Sequence, residues 1–96
     1  MDSDSEVVGK RMYRSFDVWC LAGKDSLVRY RCFEVIPLGK FCVQSKDSYY
    51  KPIDEKAVQQ LDFQFLELLF EELPDARSGM FDFVAAAIQA HESEFI

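Results

Sequence analysis

The chain has 96 residues, of which 49% are hydrophobic and nine are Phe, and its formal net charge is −6; that length fits one domain with a single core. Between Val7 and Lys56 ten Lys or Arg stand against six Asp or Glu, while between Ala57 and Ile96 one stands against eight. So many apolar residues in so short a chain lean toward an oligomer or a permanent complex, and an acidic second half suits a basic protein partner better than DNA or RNA.

Residues 1–11 are small, polar and charged, and are expected to form a flexible N-terminal tail, leaving 12–96 as a single α+β domain. The opening MDSDSEVVGK has no apolar stretch of the secretory kind, and no segment is long and apolar enough to span a bilayer. A cytoplasmic protein with no membrane role is expected.

Tyr13 to Ala22 alternates Phe16, Val18, Cys20 and Ala22 against Trp19 and Leu21, which predicts a first strand. Gly23-Lys24-Asp25-Ser26 has turn composition. Leu27 to Ile36 then sets Val28, Tyr30 and Cys32 against Arg29 and Arg31 as a second strand. Pro37-Leu38-Gly39 suits a tight hairpin turn, because Pro fixes one turn position and Gly accepts a positive φ. Phe41 to Gln44 reads as a third strand. Residues 45–53, SKDSYYKPI, read as a loop in which Tyr49 and Tyr50, flanked by Lys46 and Lys51, are candidate contact residues.

A long helix is predicted from Asp54, its N-cap, to Leu73, where Pro74 ends it. At about 100° per residue, Ala57, Val58, Leu61, Phe65, Leu68 and Leu69 fall on one face, and Phe63, Leu66, Phe70 and Leu73 on a second. Gln60, Gln64, Glu67 and Glu71 form the narrow polar stripe. An apolar arc this wide exceeds what one neighbour covers. Its second face therefore meets either the C-terminal helix within the subunit or another polypeptide, a second copy included. That last helix is expected to begin after Asp75 or Ser78 and to run to about His91, with Met80, Phe81, Val84, Ala87 and Ile88 at core spacing.

Chemistry-bearing motifs are few. Cys20, Cys32 and Cys42 lie among strand formers without C-x-x-C spacing and read as reduced core thiols. His91 would need a positioned nucleophile and an orienting partner to act as a catalytic base, and a helix C-terminus explains it without chemistry as a dipole-favoured cation. Glu67, Glu71 and Glu72 lack the Glu-x-x-His pairs of a di-iron site, and Glu72 falls among the apolar positions, where partial burial beside a Lys or Arg is expected. Four glycines at 9, 23, 39 and 79 make no phosphate-binding loop. Arg14, Lys24, Arg29, Arg31, Lys40 and Lys46, interleaved with Tyr13, Trp19, Tyr30 and Phe33, offer a nucleic-acid surface, but no RNP pattern accompanies them.

The sequence thus predicts an α+β fold, a three-stranded antiparallel β-meander followed by two α-helices packed on one face of the sheet. Its expected role is a small acidic protein-interaction module without enzymatic activity, of the inhibitor, immunity or antitoxin sort, binding a basic partner or self-associating. The expected partner-binding residues are Tyr49, Tyr50, Phe63, Glu67, Phe70 and Glu71, with no catalytic, metal or cofactor residues. The alternatives are nucleic-acid binding on the basic aromatic sheet, and a homodimer that binds a small ligand.

Overall fold

A computed structural model describes residues 11–94; the expected N-terminal tail lies outside them except for Arg11. Three strands, β1 (Met12–Gly23), β2 (Ser26–Ile36) and β3 (Lys40–Tyr50), precede three helices, α1 (Glu55–Glu71), α2 (Pro74–Ser78) and α3 (Val84–Glu94). The strands form one open antiparallel sheet in the order β1-β2-β3. This is the expected α+β meander followed by helices.

Local chemistry accounts for the joints. Gly39 closes the second hairpin at φ 66°, and its N–H donates to the Val35 carbonyl at 2.9 Å, a conformation that a Cβ would strain. Asp54 caps α1 by accepting the Lys56 N–H at 3.0 Å. At the other end Glu72 turns extended and Pro74 opens α2, as a missing N–H requires.

Residues 45–50 are strand and not loop. Ser45 to Tyr50 pair with Arg31 to Ser26, after a bulge at Gln44 between Val43, opposite Cys32, and Ser45, opposite Arg31. Their polar composition hides the strand because long-range partners impose it: Asp47 binds Arg31, and Tyr49 packs against Trp19. The loop shrinks to 51–54.

The strands' alternation builds two apolar surfaces. On one, Tyr30, Cys32 and Val43 pack with Ala87 and Ile88 of α3; on the other, Phe33, Val35 and Cys42 pack with Phe65 and Leu69 of α1. The helices therefore cover opposite faces instead of sharing one, because β2 and β3 are apolar on both sides. The chain crosses between faces along the outer edge of β3. There α2 packs, and Phe81 exchanges two backbone hydrogen bonds with Phe41, each 2.8 Å.

That crossing corrects the expected start of the last helix. Phe81 is an edge bridge and Met80 is exposed, so neither belongs to a helix face. Two side-chain expectations also fail. Cys20 is exposed while Cys32 and Cys42 are buried, because no helix reaches over that part of β1. Glu72 is exposed, because α1 ends before it and the helical wheel no longer places its side chain.

Candidate interaction face on the long helix

One side of α1 is fixed to the sheet. The Phe65 ring stacks on Phe33 with centroids 5.6 Å apart and planes 5° from parallel, and the Arg31 guanidinium lies over the same Phe65 ring at 4.9 Å. Gln44 donates from Nε2 to the Phe65 carbonyl at 3.1 Å. Arg31, almost wholly buried, donates to Asp47 and to Asp62 of α1, both at 2.6 Å. Burial works against the Arg31 charge, but the hydrogen bonds to Asp62 and Asp47 outweigh it, so its pKa lies above the ordinary value.

The other side of α1 touches none of this. Phe63 is 70% exposed, Leu66 53%, Phe70 93% and Leu73, just past the helix end, 51%. Within the helix Phe63, Phe70 and Leu66 follow one another at about 20° and 40° around the axis, with Phe63 next to the polar stripe. Phe63 lines a shallow hollow of about 390 Å³ with Gln60, Gln64 and Glu67, and Glu71 continues the exposed polar row. The C-terminal helix cannot cover this face, since it packs on the far side of the sheet. No residue of α1 is fully buried.

Of the residues singled out by sequence, Phe63, Glu67, Phe70 and Glu71 share this outer surface, and Leu66 joins them on the same stripe. Tyr49 is 9% exposed, packed against Trp19 at 5.8 Å between centroids. Tyr50, adjacent on the strand, is exposed, and both line a hollow of about 170 Å³ with Pro52, Ile53 and Ala57 near the start of α1. The tyrosines therefore do not extend the Phe63–Phe70 surface. Nothing in the composition separates Tyr49 from Tyr50; only the strand register does.

Most cations of the sheet half are engaged by carboxylates, Lys24 being without one among the described residues. Arg14 binds Glu34, Arg29 binds Asp17 at 2.9 Å, Lys40 binds Asp82 and Lys46 binds Glu92 at 3.0 Å. Arg29 also lies over the Trp19 ring at 5.2 Å. The aromatics expected on a nucleic-acid surface are divided between the two faces: Tyr30 lies under α3, while Tyr13 and Phe33 lie on the α1 side.

Titratable groups show burial more than activation. The Cys32 thiol is pushed up to about 12 and Cys42 to about 11, chiefly by burial, which suppresses thiolate chemistry. His91 is half-buried in the last turn of α3, and burial lowers its pKa. Burial thus works against the dipole-favoured cation expected at this helix end. Among the described residues no three His, Cys, Asp or Glu side chains converge on a metal-sized site, and no helix is long and apolar enough to cross a membrane.

No family model matches the chain, and comparison with curated proteins and with solved structures likewise gives no significant match.

Proposed function

We propose that this chain is a small protein-interaction module whose working surface is the outer face of α1. The observation that carries the reading is the exposed row Phe63, Leu66 and Phe70, left uncovered among the described residues, on a helix already anchored from its other side. Apolar patches of this kind mark contact sites, and a helix face with anchors at three- and four-residue spacing is a recurring recognition element. Glu67 and Glu71 border the row, and a partner that presents an apolar patch rimmed by Lys or Arg complements both features.

The role that fits is an inhibitor, immunity or antitoxin-type protein that masks a basic partner, a parallel of physical type only. Three free thiols suit a reducing cytoplasmic setting. Engagement of Arg14, Arg29, Arg31, Lys40 and Lys46 by carboxylates weighs against the nucleic-acid reading, since phosphate binding draws on unneutralised Lys and Arg.

The test is binding from native extract with three baits: the wild type, a Glu67→Lys/Glu71→Lys variant, and a Gln89→Ala control on α3. A specific partner retained by wild type and control, and lost with charge reversal or moderate salt, supports the reading. A partner retained equally by all three baits contradicts it. Retention on an oligonucleotide column that falls steeply with salt would favour the sheet instead.

A further inference from the structure

The two edges of the sheet are treated differently. The outer edge of β3 is capped at Phe41 by the reciprocal bonds from Phe81. At the opposite edge, β1 presents twelve residues without a proline, and among the described residues its backbone pairs only with β2. Its register irregularity is confined to the Leu21–Gly23 end, so Met12 to Cys20 is an uninterrupted ribbon with alternate N–H and C=O groups directed outward. No residue of β1 is buried. Trp19 and Leu21 are among the most exposed large apolar side chains of the sheet.

We infer that β1 pairs antiparallel with β1 of a second copy, joining two three-stranded sheets into one of six strands. The outward backbone groups require an extended segment, and the side chains select the copy. A twofold axis perpendicular to the sheet keeps each face on its own side, so facing residues must share parity. Centred on Phe16, the register sets Phe16 against Phe16, Arg14 against Val18 and Met12 against Cys20 on the α3 side. On the α1 side it sets Tyr13 against Trp19 and Ser15 against Asp17.

Every residue from Met12 to Cys20 then has a partner, no like charges oppose, Trp19 gains an aromatic neighbour and the Ser15 hydroxyl can donate to a carboxylate. Neighbouring registers do less well. Centring on Asp17 opposes two carboxylates, centring on Ser15 leaves Trp19 outside the pairing, and centring on Val18 runs into the irregular Leu21–Gly23 end. Six strands is an ordinary sheet size. This surface is separate from the outer face of α1, and neither depends on the other.

Two substitutions at the exposed Ser15 test both the pairing and its register. Ser15→Lys faces Asp17 of the other copy and is expected to tighten the dimer, while Ser15→Asp is expected to loosen it, each by about fivefold in Kd through the two symmetric contacts. Sedimentation equilibrium reads the constants, and amide exchange at low and high protein concentration reads the strand. Concentration-dependent protection of alternate amides within Met12–Cys20, with opposite shifts in the two variants, is the expected result. A monomer at millimolar concentration would overturn the inference, as would a dimer that ignores both Ser15 changes or leaves the β1 amides unprotected. Dimerisation abolished by Phe70→Glu with those amides unchanged would assign self-association to α1 and likewise refute the β1 pairing.

Discussion

The Phe65 ring lies flat on Phe33 at 5.6 Å between centroids, whereas Phe63, two residues earlier on the same helix, reaches into solvent. At 100° per residue a two-residue step turns the side chain by about 160°, which is enough to move it from core to surface. The same sequence signal, a Phe in an apolar helix, therefore means two different things.

Truncating the two rings separates these meanings. Phe65→Ala should cost about 2 kcal/mol, less than the ~3–5 of a fully enclosed Phe because one edge of the ring is open. Phe63→Ala and Phe70→Ala should stay within about 0.5 kcal/mol, as exposed changes do. Denaturant midpoints of the three variants check this; a large loss from Phe70→Ala would mean that its ring packs within the subunit.

Asp47 holds Arg31 where water does not reach. Asp47→Ala should destabilise by about 3 kcal/mol, since a buried charge loses its enclosed partner and keeps only the exposed Asp62. Glu67→Lys on the outer stripe should be nearly silent in the same assay. Equal effects would contradict the burial of the Arg31 pair.

Tyr30 on β2 donates to Glu92 of α3, tethering that helix across the sheet face. Hydrogen bonding to Glu92, then burial, raises the Tyr30 pKa from 10 to about 12. The stabilisation is therefore complete below pH 10 and is lost as pH rises through about 12. Burial first, then the bond to Asp75, raises Tyr13 to about 12 as well. Glu92 is held below its ordinary value by the Tyr30 bond and then Lys46, so its contribution is present above the usual carboxylate range and fades as pH falls through the lowered pKa. Absorbance titration should show two tyrosines ionising late, and Tyr30→Phe should remove one of them and loosen α3. A titration with no late tyrosine would refute both contacts.

Much of the architecture is readable from periodicity. The alternation in β1 and β2, the turn at Pro37–Gly39, the cap at Asp54 and the break at Pro74 are local signals, and each marks its element in the structure. Ser45 to Tyr50 is not readable this way, because its strand is dictated by Arg31, Trp19 and β2, all distant in sequence. The placement of α3 on the opposite face depends on Phe81 meeting the β3 edge, another non-local event. For the proposed interaction face, the helical wheel brings Phe63, Glu67, Phe70 and Glu71 together, whereas the separation of Tyr49 from Tyr50 needs the register of β3.

The central claim is that the outer face of α1 is covered by a partner, and a photo-crosslinking side chain at position 70 tests it most directly. With the same probe at Gln89 on α3 as control, position 70 is predicted to give one discrete protein adduct in native extract. That adduct should be lost when Glu67→Lys/Glu71→Lys is added. Adducts of the same pattern from both positions, or an adduct at position 70 that survives charge reversal undiminished, would contradict the account.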